Sequence, residues 1–228
     1  MDQGLRQYVR SWWQQPFDFD WTARHFRANG VLRLHQVAIG FFAGIYGLTA
    51  LLAVVCGYTD DGAVGAQVVV AAVCVSSIVL SLLWTFGPWP TEGQSIAFAV
   101  YADVAVAVVI ACFHSSFTAM PGLALLAANG IYVVLLHGPR ALLLHLLLTI
   151  VAFGWVTVMT LHQAEAPLTL IVIRVLVLFP TVVALPVLVQ SYLLTLRVAA
   201  ADALVDPLTR LHNRRGLDAE LVELALEA

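Results

Sequence analysis

Two charged side chains, Asp103 and Arg174, lie inside long apolar stretches of the sequence. An ionised side chain at the centre of a bilayer costs about 2.5–3.5 kcal/mol on insertion scales, so such residues mark ligand sites, ion paths or proton relays. At 1.5 Å per helical residue, Asp103 lies about 12 Å from one boundary of the hydrocarbon core and Arg174 about 10 Å from the opposite one. That leaves about 8 Å of depth between them in a core of about 30 Å. The pattern predicts an Asp103–Arg174 pair, formed directly or through water or a ligand.

Two further polar residues, Asn129 and His145, occupy other apolar stretches. Together with Asp103 and Arg174 they are the candidate ligand-binding or sensing residues. Each also has a purely structural interpretation. Asn129 and His145 are residue types that hydrogen-bond between membrane helices. Asp103 can be protonated or bonded to a neighbouring helix, and Arg174 can extend to the lipid headgroups.

The apolar stretches contain no nucleophile–base arrangement, phosphate-binding loop or pair of catalytic carboxylates. His114, His162 and Glu165 fall in connecting segments, but their spacing matches no common metal-ligand pattern. We therefore predict no catalytic residue and no metal site in this chain. A net charge of −3 without a basic patch gives no indication of a nucleic-acid partner.

The elements that position these residues are predicted to be membrane helices. The chain is 61% hydrophobic and 11% charged, with a mean hydropathy of +0.90. A soluble protein of this composition would expose large apolar patches. Six stretches reach the length of about 20 residues that crosses a bilayer. They are Leu34–Cys56, Val64–Phe86, Ser95–Phe113, Phe117–His137, Ala141–Leu161 and Leu168–Gln190. The predicted fold class is all-α, a six-transmembrane-helix bundle over residues 34–190 with antiparallel neighbours.

The arginines predict the orientation, because the chain has no lysine. Five arginines precede the first span, Arg140 lies between the fourth and fifth, and four follow the sixth. The three loops predicted to face outward carry none. By the positive-inside rule, both termini are cytoplasmic. Residues 1–33 mix tryptophan, phenylalanine and arginine, so we predict an interfacial segment with its rings at the bilayer boundary; docking to a partner is the alternative.

The sixth span contains Pro180 and Pro186, each of which removes a backbone hydrogen bond and bends a helix. Beyond it, residues 191–205 are predicted to form a stalk helix with two overlapping coiled-coil seams. One seam is Leu194, Val198, Ala201 and Val205, and the other is Leu193, Leu196, Ala200 and Ala203. Two near-equal faces would let a parallel homodimer switch between alignments. An alanine-rich segment also matches many seams by chance, and this alternative stays open.

A short motif follows the stalk. Asp206 suits a helix N-cap and Pro207 the first helical position. Residues 206–215 resemble the opening of a GGDEF domain, the diguanylate cyclase output module of bacteria, which begins Asp-x-Leu-Thr-x-Leu-x-Asn-Arg-Arg. The matching residues are Asp206, Leu208, Thr209, Leu211, Asn213, Arg214 and Arg215.

The resemblance implies that this chain regulates the synthesis of cyclic di-GMP from two GTP, with Mg²⁺, at the bacterial inner membrane. The catalytic and metal-binding residues of that family lie further along the domain, so residues 206–228 are expected to be its incomplete start and not catalytic. The expected partners are membrane lipids, a second copy of the chain through the sixth span and stalk, and a small lipophilic ligand. Two alternatives remain open, a non-sensing anchor that dimerises the cyclase and a transporter-like bundle.

Overall fold

The computed structural model describes residue 13, residues 19–59 and 64–202, and six single positions between Leu211 and Leu221. Within these ranges it contains six helices that are long and apolar enough to cross a membrane, which we number spans 1 to 6. They are Leu32–Val55, Gly65–Phe86, Glu92–Ala111, Ser116–Leu136, Pro139–Gln163 and Leu168–Leu196. Each overlaps one of the six predicted stretches, so the prediction of six apolar helices is confirmed.

The regular elements follow in chain order. Helix α1, Phe19–Ala28, precedes span 1, which is α2, Leu32–Val55. Spans 2 and 3 are α3, Val64–Phe86, and α4, Glu92–Ala111. Span 4 comprises α5, Ser116–Ala119, a 3₁₀ segment, Met120–Ala124, and α6, Leu125–Leu136. Span 5 is α7, Pro139–Gln163. Span 6 comprises α8, Leu168–Phe179, a π-helical segment, Pro180–Ala184, and the start of α9, Leu185–Asp202.

Two helix boundaries differ from the predicted stretches for local reasons. Span 3 begins at Glu92 rather than Ser95 because Thr91 and Gln94 form a capping box, which satisfies backbone N–H groups at the helix start. Span 4 was predicted as one continuous helix, but its first turns narrow to a 3₁₀ helix over the Met120-Pro121-Gly122 sequence. Proline and glycine there disfavour a regular α-helix.

Spans 1 and 2 form a closely packed antiparallel hairpin. A Cβ on Gly40 would collide with the Thr85 hydroxyl and lie 2.8 Å from the Ser81 carbonyl oxygen. The Ser81 hydroxyl donates a hydrogen bond of 2.6 Å to the Gly40 carbonyl oxygen. Small residues and short hydrogen bonds of this kind hold membrane helices together, because lipid gives no hydrophobic drive for their association.

The core of the bundle lies among spans 3, 4 and 5, with the π-helical segment of span 6 packed on it. Val106, Leu123, Val156 and Val182 contribute one buried side chain each from these four spans. The hairpin joins this core where the Tyr46 hydroxyl donates to the Leu125 carbonyl oxygen at 2.9 Å. The backbone contacts divide the chain into residues 1–187, which hold this core, and residues 188–228.

Candidate functional site

Asp103 lies on the buried face of span 3. Ser95, Ala99 and Asp103 follow one another at intervals of four residues, so their side chains share one face of the helix. All three are buried, and Asp103 is 4% exposed. Span 3 therefore carries a polar stripe into the centre of the bundle, where a carboxyl group needs partners from other helices.

His145 of span 5 is the ionisable partner of Asp103. Its Nδ1 lies 3.0 Å from Oδ1 and 2.9 Å from Oδ2 of the carboxylate, and the imidazole is 2% exposed. We assign Nδ1 as the donor, because an ionised carboxylate only accepts hydrogen bonds. The other ring nitrogen, Nε2, is buried and has no hydrogen-bond partner among the described residues.

Asn129 of span 4 completes this group. Its amide Nδ2 donates to Oδ1 of Asp103 at 2.6 Å and to the Ala99 carbonyl oxygen at 2.9 Å. The Asp103 carboxylate thus accepts hydrogen bonds from two helices at once. We call Asp103, Asn129 and His145 the polar triad. The structure therefore brings together three of the four predicted sensing residues.

The fourth residue, Arg174, lies elsewhere. Its Nη1 donates to the Phe117 carbonyl oxygen, and its guanidinium carbon lies 3.5 Å from the centroid of the Phe117 ring. The direct form of the predicted Asp103–Arg174 pair is wrong, because each side chain has other partners; the form through water or a ligand stays a prediction. Phe117 belongs to the four-residue helix at the start of span 4, and the last carbonyl groups of a helix are open to side-chain donors. Arg174 uses one of these, while Asp103 takes its partners from spans 4 and 5.

A second polar cluster lies two turns along span 3 from Asp103. The Ser95 hydroxyl shares hydrogen bonds with the Tyr132 hydroxyl and with Nε2 of His137, the latter at 2.9 Å. Phe19 of α1 covers the cluster, with its ring stacked on the His137 imidazole at a centroid distance of 5.7 Å. Burial lowers the pKa of His137 from its ordinary value of 6.5 to about 4, because a charged imidazole loses hydration there.

The polar triad touches span 6 through one glycine. A Cβ on Gly130 would collide with the Pro186 ring and would lie 2.8 Å from Nε2 of His145. Gly130 follows Asn129 directly, so the same turn of span 4 holds the Asp103 carboxylate and supports Pro186. This turn therefore contacts both the polar triad and span 6.

The remaining predicted transmission residues are described only in part. Pro180 begins the π-helical segment of span 6, so the proline is accommodated by a widened turn. Leu194 is buried. The side chains of Val198 and Ala201 and all of Val205 lie outside the described residues, and the coiled-coil seam stays a prediction.

Three residues of the predicted output-domain motif are described, namely Leu211, Asn213 and Arg214. The Gly216 backbone N–H donates to Oδ1 of Asn213 at 3.0 Å, and the Leu217 N–H donates to the Asn213 carbonyl oxygen. Asn213 therefore caps the start of a helical turn. The other motif residues lie outside the described residues, as does the cap predicted for the first of them. They are Asp206, Leu208, Thr209 and Arg215.

Two apolar cavities lie between the hairpin and the core, on either side of Tyr46. One has a volume of about 320 Å³ and is lined by Thr49, Ile110 and Pro121 among others. The other has a volume of about 210 Å³ and extends to Asn129 of the polar triad. A small lipophilic molecule fits such a space. Within the part of the chain that the structure describes, no three potential ligands are close enough to hold a metal ion.

The sequence interpretation missed Ser95, Tyr132, His137 and Gly130. The spacing of four from Ser95 to Ala99 to Asp103 was a usable signal for a polar stripe. His137 lay at a span boundary and Gly130 looked like packing, so neither could be assigned before the helices were placed. Comparison with protein-family models, with curated proteins and with solved structures found no match to this chain.

Proposed function

We propose that this chain is the membrane-embedded regulatory region of a diguanylate cyclase. In this proposal the state of the polar triad reaches span 6 and, through it, the output domain that begins near Asp206. The observation that carries the proposal is the packing of Pro186 on Gly130 beside the His145 imidazole. At this contact the polar triad lies next to span 6, the helix that leads toward the proposed output motif.

Two features of the sequence support the cyclase part of this proposal. The motif at residues 206–215 matches all seven fixed positions of the GGDEF opening. The arginine distribution puts the motif on the cytoplasmic side, where GTP and Mg²⁺ are found. The chain then acts in the bacterial inner membrane as a multi-pass protein with both termini inside.

The proposed protein works as a homodimer through span 6 and the stalk. Span 6 is the least buried of the six spans, with 11% of its apolar window covered. Leu176, Val177 and Leu188 are each more than 60% exposed. Lipid covers part of this surface and a second copy covers the rest, which brings two output domains together. In the GGDEF family the product forms between two such domains, each holding one GTP.

The signal in this proposal reaches the helices from the membrane or from a small lipophilic molecule. The cavities on either side of Tyr46 are the space for such a molecule, and the 210 Å³ cavity borders Asn129. An occupant there would contact the polar triad directly. A ligand that binds more tightly to one of two arrangements of span 6 shifts the population toward that arrangement and so changes the output.

The test compares two glycine substitutions in the full-length protein reconstituted in nanodiscs. Gly130→Ala forces Pro186 to move, whereas Gly154→Ala in span 5 places its Cβ in open space. We expect Gly130→Ala to change the rate of cyclic di-GMP formation from GTP by about fivefold or more, the effect of about 1 kcal/mol of coupling. Gly154→Ala should leave it unchanged.

Dimer content is measured for each variant, so that a change in rate can be assigned to the output alignment. An unchanged rate in Gly130→Ala at equal dimer content would favour the alternative of a non-sensing anchor. A full-length protein that forms no cyclic di-GMP in any variant would refute the cyclase assignment itself.

A further inference from the structure

An ionised Asp103 beside a neutral His145 would give the polar triad a charge that one added proton balances. With Asp103 ionised and His145 neutral, the site has a net charge of −1 in the interior of the bundle. Such a charge is expensive in a medium of low dielectric constant. One added proton converts the site into a neutral carboxylate–imidazolium pair.

We infer that Asp103 and His145 together form a binding site for one exchangeable proton, taken up on Nε2 of His145. Nδ1 already donates to the carboxylate at 3.0 and 2.9 Å, so Nε2 holds the free lone pair. On uptake, this lone pair forms the new N–H bond, the positive charge spreads over the ring, and the carboxylate stays ionised. No oxidant or second reactant is needed.

The side chains packed around Asp103 and His145 are neutral or bonded elsewhere, so the added proton is what balances the carboxylate charge. Span 4 contributes the neutral amide of Asn129, and span 1 brings the Tyr46 hydroxyl, which donates to Leu125. Arg174 of span 6 is held at Phe117. Among the residues that the structure describes, Asp103 and His145 are the one acid–base contact inside the spans, with Nδ1 2.9 Å from Oδ2.

A small cavity connects the pair with His137, which lies nearer to one end of the bundle. It has a volume of about 10 Å³ and is lined by Asp103, His145 and His137. This is about the space that one water molecule occupies, and its lining offers polar partners. His137 lies at the end of span 4 next to Arg140, which is the cytoplasmic end in the predicted orientation. In the proposal, the proton exchanges toward that side.

Proton uptake creates a charged donor at the contact with span 6. The Nε2 atom and the Pro186 ring both lie within 3 Å of the position that a Cβ on Gly130 would take, and a buried charged N–H without an acceptor is costly. The protonated site therefore favours a different packing of span 6. This regulatory consequence rests on the proposed function, whereas the proton site itself does not.

The test is a pH titration of the ¹⁵N-histidine-labelled full chain in nanodiscs, followed by nitrogen chemical shifts. His145→Gln identifies the His145 signals by their loss. From about pH 9 to about pH 4, a range that brackets ordinary imidazole and carboxyl values, Nε2 of His145 should pass from unprotonated to protonated. In Asp103→Asn this transition should require at least about a tenfold higher proton concentration. His162→Gln, exposed in the last turn of span 5, is the control and should leave it unchanged.

Two results would overturn the site. One is a His145 ring that keeps the same protonation state throughout the range. The other is a titration unaltered in Asp103→Asn. If Asp103→Asn does not fold, infrared difference spectra of the wild type decide the matter. The Asp103 carboxylate band should persist while His145 becomes charged, and a carboxylic acid band without imidazolium would refute uptake on Nε2. These readouts need no cyclase, so they fail independently of the proposed function.

Discussion

Nδ1 of His145 lies within 3.0 Å of both carboxylate oxygens of Asp103, across 42 residues of sequence and between two different spans. Because of this contact, the partner of Asp103 is His145 and not Arg174. The contact leaves Nε2 of the same ring against Gly130, where span 4 supports Pro186 of span 6. The buried polar triad and span 6 thereby meet at Gly130. The following predictions test the parts of this arrangement separately.

Asn129→Ala should destabilise the bundle by about 1–3 kcal/mol. The substitution removes the amide that donates to Asp103 and Ala99, and a buried acceptor left without its donor keeps its desolvation cost. Reversible unfolding in mixed detergent micelles measures the loss. Asn29→Ala is the matched control, because Asn29 is exposed and its side chain bonds His25 of its own helix turn. Equal costs for the two variants would contradict the role given to Asn129.

Arg174→Leu should lower the unfolding temperature and leave the titration of His145 unchanged. The guanidinium joins span 6 to span 4 by a hydrogen bond and by stacking on Phe117, which together contribute about 1–3 kcal/mol. Arg174→Lys should recover part of this, because an ammonium keeps the charge and loses the planar stacking. Calorimetry gives the first result and histidine nitrogen shifts the second. A lost His145 titration in Arg174→Leu would show that the arginine is coupled to Asp103 after all.

Docking of α1 should weaken as the pH falls from about 6.5 to about 4. Burial lowers the pKa of His137 to about 4, and the Phe19 ring stacked on it is part of that burial, so the undocked imidazole is expected to bind the proton more tightly than the docked one. The contribution of the neutral His137 to α1 docking is fully present above pH 6.5, the ordinary pKa of histidine. It is lost as the pH falls toward 4, by up to about 3 kcal/mol. Hydrogen exchange of the α1 amides, corrected for intrinsic rates, should therefore speed up in this window.

His137→Gln is the control for that experiment. Glutamine keeps a donor for Ser95 and does not titrate, so the pH dependence of α1 exchange should disappear. A pH dependence that persists in this variant would assign the effect to another group.

Gly40→Ala should destabilise the hairpin of spans 1 and 2 by about 1–3 kcal/mol. The added methyl group collides with the Thr85 hydroxyl and presses on the Ser81 carbonyl, and overpacking of a close contact costs energy of this size. Gly65→Ala in span 2 meets no neighbouring atom and should be neutral. Thermal unfolding of both variants measures the difference. A neutral Gly40→Ala would mean that the hairpin is packed more loosely than the structure shows.

The sequence by itself was sufficient for the number and nature of the helices. Apolar length is a local property, so stretches such as Leu168–Gln190 identify themselves without any knowledge of their neighbours. Boundaries were less certain, because the capping box at Thr91 and the 3₁₀ turns after Ala119 depend on side-chain and backbone bonds of individual residues. The resemblance to a GGDEF opening likewise rests on ten consecutive residues, and it stays a prediction.

The sequence also singled out Asp103, Asn129, His145 and Arg174 as polar residues in an apolar environment, since each is exceptional against its own neighbours. Which of them are partners was decided only by the tertiary structure. Depth along the membrane normal made Asp103 and Arg174 plausible partners, but it contains no information on which helices are adjacent. The packing of spans 3, 4 and 5 puts His145 and Asn129 beside the carboxylate. In the same packing, Arg174 donates to the Phe117 carbonyl oxygen at the irregular start of span 4. Gly130 lies against Pro186.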